Sequence, residues 1–482
     1  MTKANETRDE NKKLSEMAIS EEDWDRTPKS VQKWVWSLLS RLEKLEKEVG
    51  ELREKGKQTS RNSSKPPSSD GPEVEKPKKE KGKRKQGGQK GHKGHHKQLK
   101  PLEEVDEVHE IKPCECKGCG HALEGAEDKP YRHQVTEIPP VVAKVTEYRL
   151  HALGCPECGK QTRAELPEGV PTGTYGPRLQ AMTSLLTGQY HLSKREASGI
   201  MSDFFQAEVS AGTVSTLEQR TSDAIAEPVQ DAREAVQQEA VVNIDETGWY
   251  QQHKRAWMWV VGSPQITVFL IRPNRSSQVA KELLGEAFAG IVGSDRWSAY
   301  NWLNTKQRQL CWAHLLRDFQ AFVDRGGQST TLGNALLAQS RLMFDAWHRL
   351  RDGSLSRDAF QQEMLPVRQM VGQLLNQGTS CHHPKTAGTC RNILKRVSAL
   401  WTFIDVPHVE PTNNFAERQV RPAVIWRKHC FGTQSDAGSR FVERILSVVA
   451  TLKQQGRNIL DYLTLACQAA NFRLPPPSLL PP

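Results

Sequence analysis

Three carboxylates stand where metal-assisted chemistry on a phosphate could be done. Asp245 ends the apolar run VVNID, Asp295 ends a second run, GIVGSD, and Glu417 falls three residues after Asn414, which can cap a helix. Two strand-end aspartates and a helix-borne glutamate can converge on two hard cations. One ion then activates a nucleophile and the other stabilises a leaving oxygen. Carboxylate oxygens suit Mg²⁺ or Mn²⁺. Arg418, Arg421, Arg427 and Lys428 follow Glu417 closely, and cations there could hold phosphates, since phosphoryl transfer needs mainly positioning and charge neutralisation. Each acid also has an ordinary reading. Asp245 can start a turn, Asp295 can cap the segment RWSAY, and Glu417 can be the reciprocal partner of Asn414 in a capping box. Spacing does not choose between these readings, because 122 positions separate Asp295 from Glu417.

A second chemistry is written in cysteine. Cys116, Cys119 and Gly120 form one CxxCG knuckle, and Cys155, Cys158 and Gly159 form another. Each pair puts two thiolates on one tight turn, with glycine allowing the backbone twist that follows, so four sulfurs can close a tetrahedral structural Zn²⁺ site. Cys114 is a spare neighbour of Cys116. Between the knuckles, YRHQVTEIP and VVAKVTEYRL are rich in Val, Thr and Tyr and are separated by Pro139 and Pro140, which reads as a hairpin. Cys311 with His314 and Cys381 with His382 could suggest a second metal site in or beside the insertion, against the ordinary reading that isolated Cys and His are packing residues. Ten cysteines in 482 residues are too few for a disulfide scaffold.

The acids need elements to hold them. VVNIDETGW, RAWMWVVGSP, QITVFLIRP, GIVGSD and the start of QRQLCWAHLL read as strands, which implies a mixed α/β sheet with acids at strand ends. Upstream, Pro177 suits a first helical residue, Ser193 and Glu196 make a capping box, and a third helix starts near Ser210 with Gln219 and Arg220 outward. Three short helices of this kind can form a helix-turn-helix whose last helix reads base edges in a major groove. Further upstream, Val31, Val35, Leu38, Leu42, Leu45, Val49 and Leu52 alternate in steps of four and three, the spacing of a coiled coil. Residues 31–52 are therefore expected to join two or more copies of the chain. The formal net charge is +10, and Lys76 to Lys100 holds eleven Lys or Arg, among them Lys83, Arg84 and Lys85, against one acid, Glu80. Such a basic block is the footprint of a segment that meets phosphates. No stretch of about eighteen apolar residues occurs, and the polar start lacks the apolar core of a secretion signal, so the expected location is the cytoplasm.

The chain thus reads as multidomain α/β: an N-terminal helix or coiled coil (1–55), a basic disordered linker (56–100), a zinc-ribbon-like module (101–170), a helical, helix-turn-helix-like module (171–238), a catalytic core (239–465) and a tail (466–482). NIDETGW, GSDRWSAYN, CWAHLLRDF and especially NNFAERQVRPAVIWRKHCFGTQSDAG resemble the signature segments of the insertion sequence 66 family of bacterial transposases. NSSKPPSSD, GGQKGHKGH and the double CxxCG module follow that family in the same order, so the resemblance covers about residues 60 to 465. It implies a ribonuclease-H-like mixed-sheet core with Asp245, Asp295 and Glu417 as a two-aspartate, one-glutamate triad for two Mg²⁺ ions, and a helical insertion at about 320–400. It also implies binding to element ends, metal-dependent strand cleavage, joining of the 3′-hydroxyl to target DNA, accessory proteins from the same element, and a nucleoid-associated bacterial location. Two rival readings are a metal-dependent nuclease or resolvase without joining, and a DNA-binding regulator derived from a transposase.

Overall fold

A computed structural model describes residues 20–56, 58–63 and 98–481. Two helices come first, α1 (Glu21–Arg26) and α2 (Lys29–Gly56), then strands β1 (Ala152–Gly154) and β2 (Gln161–Arg163). Four helices follow: α3 (Pro177–Gly188), α4 (Lys194–Phe205), α5 (Ala211–Ala224) and α6 (Ala226–Val236). The next segment runs β3 (Val241–Gln251), β4 (Lys254–Gly262), β5 (Thr267–Arg272), α7 (Ser277–Leu284), β6 (Ile291–Ser294) and β7 (Arg308–Leu310). The remainder is helical: α8 (Trp312–Asp324), α9 (Gly327–Arg351), α10 (Arg357–Gly378), α11 (Pro384–Leu394), α12 (Thr402–Asp405), α13 (Asn414–Cys430), α14 (Asp436–Gln454) and α15 (Ile459–Phe472). The chain divides into two compact units. One takes the N-terminal helices with residues 293–297 and 303–413, and the other takes the described residues of 75–292 with 298–302 and 414–482.

The five runs read as strands are β3 to β7, and the sheet order is β5-β4-β3-β6-β7. β3, β4 and β5 form an antiparallel meander in regular register, with Asp245 opposite Val260 and Val260 opposite Phe269. Its core is apolar: Ile244, Met258, Trp259 and Val260 are fully buried, and the Trp259 ring meets Tyr300 edge to face at 6.3 Å. β5 is the outer strand, and an outer strand carries backbone donors that the sheet cannot use. α14 supplies the acceptors. Thr267, Phe269 and Ile271 donate their N–H groups to Thr451 Oγ1 (3.0 Å), Ser447 Oγ (2.9 Å) and Glu443 Oε1 (2.6 Å).

Helices α3 to α6 start as their sequences dictate. α3 has Pro177 as its first residue, Ser193 and Glu196 form the expected capping box of α4, and Ser210 caps α5 through the Thr213 N–H. Met201, Val209, Val214 and Leu217 make a core shared by α3, α4 and α5, with Leu179 and Leu186 of α3 packed against it. In the other unit the helices from α8 to α12 enclose an aromatic cluster in which Trp347 and Phe360 both contact Phe403, at 5.6 and 6.0 Å.

One expectation fails. No hairpin forms between the cysteine knuckles, since residues 131–151 contain no strand. Tyr131, Val135, Ile138 and Val145 are each at least 80 % exposed, so pairing there would gain no apolar burial, and Pro139 and Pro140 have no N–H to give a ladder.

The α14 edge contacts can be measured. Ser447→Ala leaves the Phe269 N–H buried without an acceptor and is expected to cost about 1–3 kcal/mol of stability in urea unfolding. Thr451→Ser keeps its hydroxyl and should cost far less; equal losses from the two would contradict this account of the edge.

Candidate functional site

β3 carries two consecutive acids with different fates. Glu246 is 8 % exposed, on the side of the strand where Val242 and Ile244 are buried. It accepts from the Arg275 guanidinium and from Tyr300 Oη, so a buried charge is neutralised and hydrogen-bonded. Arg275 and Arg255 each sit over the Trp257 ring, 5.1 and 5.0 Å from its centroid. Asp245 points to the other side with Asn243 and Thr247, half-buried, and its Oδ1 accepts the Glu246 N–H at 2.9 Å.

Glu417 reaches that same side. Gly262 is the register partner of Asn243 and so shares the face of Asp245. A Cβ at Gly262 would stand 2.9 Å from the Phe415 ring, so only glycine lets α13 approach this closely. α13 therefore crosses the sheet on the Asp245 face, with half-buried Glu417 in its first turn. At its other end Arg427 donates to Thr247 Oγ1 (3.4 Å) and to the Gly248 carbonyl, fastening the helix to β3. Asn414 is the first helical residue rather than the cap before it. Helix limits commonly shift by one position. The helix runs on through Pro422. Arg418, Arg421 and Lys428 are exposed on it.

Asp295 belongs to the other unit and follows β6 directly. Its Oδ1 accepts the Trp297 N–H at 2.8 Å, a local turn that fixes the carboxylate. The fully buried Arg308 guanidinium donates to the Asp295 carbonyl (3.0 Å) and to Ser294 Oγ (3.2 Å). Neighbouring Arg296 pairs with Asp318 and Asn392. Cys311 Sγ accepts the Asn413 N–H at 3.1 Å, and Cys381 is buried with its sulfur 3.3 Å from Ser329 Oγ.

The two knuckles are built alike. The Cys116 N–H bonds the His121 carbonyl at 2.8 Å and the Cys155 N–H bonds the Lys160 carbonyl at 2.9 Å; Gly120 and Gly159 both have φ of +71°, and both donate back at 2.9 Å to the first cysteine of the pair. Backbone N–H groups of Gly118 and Cys119 hold the Cys116 thiol below its ordinary range, and those of Cys158 and Glu157 do the same for Cys155. Turns that favour thiolate fit a zinc ion. Among the described residues no three of the four sulfurs lie within 4.8 Å of one another, so two half-sites are formed but not closed.

On α5, Gln219 Nε2 donates to Asp223 at 2.9 Å, and the exposed Arg220 guanidinium lies against Gly173. Lys83, Arg84 and Lys85 lie outside the described residues. Sequence reasoning missed Arg275 and Tyr300, which lock Glu246, because an ion pair across 29 positions and a hydrogen bond across 54 leave no local pattern. It also missed the turn Gln189–His191 beside α13. Only the histidine in αL conformation, with φ of 59°, marks it.

Residues 172–440, more than half of the chain, match the family profile described as "Transposase IS66 family". Residues 113–159 match the "zinc-finger binding domain of transposase IS66", and residues 2–98 match a "Family of unknown function (DUF6444)". Among curated proteins, "Uncharacterized protein y4qI" of Sinorhizobium fredii is 29 % identical over 238 residues, which is 44 % of this chain and 43 % of that relative's length.

Metal analysis of the purified chain is expected to find one zinc ion per chain. Cys116→Ser and Cys155→Ser should each lose it, because three thiolates hold zinc far more weakly than four. Zinc retained at full stoichiometry in both variants would rule out a site shared by the two knuckles.

Proposed function

Because the chain belongs to the IS66 family of transposases, we propose that it cleaves DNA at the ends of its element and joins the freed 3′-hydroxyl to target DNA, using Asp245, Asp295 and Glu417. The observation that carries this reading is that the helix bearing Glu417 crosses the sheet on the face of Asp245, while the adjacent Glu246 is tied to Arg275 and Tyr300 on the other. Strand order β5-β4-β3-β6-β7, with Asp245 on the central strand and Asp295 directly after its neighbour, supports a ribonuclease-H-like core. Three carboxylates are a donor set suited to Mg²⁺ or Mn²⁺. Two such ions, when bound, supply activation of the attacking oxygen and charge neutralisation at the leaving oxygen.

The protein's own groups do the rest. Arg418, Arg421 and Lys428 hold phosphates beside the acids, and Arg427 keeps their helix on β3. Gln219 and Arg220 on α5 face element-end DNA, and the basic segment containing Lys83, Arg84 and Lys85 adds sequence-independent attraction. Cys116, Cys119, Cys155 and Cys158 hold a structural Zn²⁺. Along α2 the apolar seam is uncovered, with Val31, Leu38, Leu42, Leu45 and Val49 each at least 40 % exposed; a second copy of the chain covers it in a dimer or higher oligomer. Accessory proteins of the same element assist end cleavage. Among the described residues no helix is long and apolar enough to cross a membrane, and the reaction takes place on bacterial DNA in the cytoplasm.

Joining a labelled, pre-cleaved element end to plasmid DNA with Mg²⁺ or Mn²⁺ tests the reading without the cleavage step. Wild type is expected to join ends, and Glu417→Gln, Asp245→Asn and Asp295→Asn each to lose at least about a hundredfold of that activity, since a metal ligand acts in the transition state. Joining retained by Glu417→Gln would reject the triad. Metal-dependent cutting without joining would reject strand transfer.

A further inference from the structure

A cleft of about 630 Å³ lies between α13, α14 and the turn after α3. That volume is in the range of small-ligand sites, roughly 300–1,000 Å³. α13 turns Arg418, Arg421 and Ile425 toward it, and α14 turns Leu446, Val449 and Lys453 toward it. Each set follows the three-and-four spacing that brings residues onto one helix face. The floor is apolar and the rim is cationic. None of the three cations has an ion-pair partner among the described residues. Partial burial without a neighbouring carboxylate holds the Lys453 ammonium below its ordinary range. Cations gathered around an apolar floor without counter-charge call for an anion with an apolar body.

The turn supplies a recognition surface. Tyr190 is 57 % exposed at the rim. Gln189 Oε1 and His191 Nδ1 are buried, and neither has a hydrogen-bond partner among the described residues. Buried polar atoms of this kind cost stability unless something else pairs with them. His191 is kept in place by Trp426, with ring centroids 5.2 Å apart, and by a strained backbone at φ 59°. Pro422 has no N–H to give the Arg418 carbonyl, which adds an acceptor on this side of α13.

We propose that this cleft takes one unpaired nucleotide of a DNA strand. The base lies against Tyr190 with its polar edge toward Gln189 and His191, and the flanking phosphates lie on Arg418, Arg421 and Lys453. A flat heterocycle provides the apolar body and the phosphodiester provides the negative charge. The inference rests on the DNA-joining reading and adds to it a requirement for a locally unpaired strand.

The test is fluorescence anisotropy of the full-length protein with a labelled eight-residue thymidine oligonucleotide and, separately, a labelled duplex. Tyr190→Ala and Lys453→Gln are both surface changes, and unaltered thermal unfolding verifies their fold. Each is expected to weaken single-strand binding about tenfold while leaving duplex binding within about twofold, the size expected for one lost stacking or phosphate contact. Equal weakening of both DNA forms, or of neither, would overturn the proposal. So would competition by thymidine 5′-monophosphate at concentrations as low as those of the oligonucleotide, which would mark a site for free nucleotides. Wild-type joining together with unchanged single-strand binding by Tyr190→Ala would remove only the cleft proposal. Selective loss of single-strand binding in a protein that joins no ends would remove only the strand-transfer reading.

Discussion

A strand at the rim of a sheet has donors that no neighbouring strand can accept, and the treatment of β5 organises much of the unit around it. Thr451, Ser447 and Glu443 on α14 meet Thr267, Phe269 and Ile271 in opposite directions. Four residues of helix rise about 6 Å and two residues of strand about 6.6 Å, so side chains every helical turn can match backbone groups on alternate strand residues. Once α14 is fixed to this edge, its adjoining face becomes the floor of the cleft, and its start fixes the end of α13. The connection is short and paired: Thr433 donates to the Tyr250 carbonyl (2.9 Å) and accepts from the Gln252 N–H (2.8 Å) at the end of the β3–β4 hairpin. α13 is thus held by its far end at the hairpin, and by Phe415 against Gly262 at its start.

That arrangement bears on how two adjacent acids can differ. Alternation along a strand sends Asp245 and Glu246 to opposite sides of the sheet. The side with Glu246 is apolar and closed, so its charge is tolerable only with Arg275 and Tyr300 in attendance. The side with Asp245 is where α13 crosses with Glu417 and a train of basic residues. On the proposed function, the same alternation makes one acid a structural fixture and the other a metal ligand.

Several surfaces are unfinished as single-chain structure. The apolar seam of α2 is uncovered, the exposed Val and Ile residues between the knuckles pair with nothing in a strand, and the four cysteine sulfurs are not gathered. On the proposed function, the first and third of these features are completed by another body. A second helix suits the first and a zinc ion the third.

Where the information was local, the sequence alone determined the outcome. The capping box of Ser193 and Glu196, Pro177 at the start of α3, the two CxxCG turns and all five strands of the sheet follow from residue types within a few positions of each other. The long motifs shared with one family identified the chain, and they named the three acids of the proposed site. The YRHQVTEIP and VVAKVTEYRL runs show the limit of local reading: their β-forming composition could not reveal that no apolar surface would cover them. Only tertiary structure decided which face of β3 receives α13, that Glu246 is consumed by Arg275 and Tyr300, and that Arg427 anchors a helix. It also decided that Gln189, Tyr190 and His191 meet α13 and α14 across a cleft. These outcomes depend on contacts between residues tens to hundreds of positions apart, and the energies that fix them are packing and pairing terms that no short stretch of sequence contains.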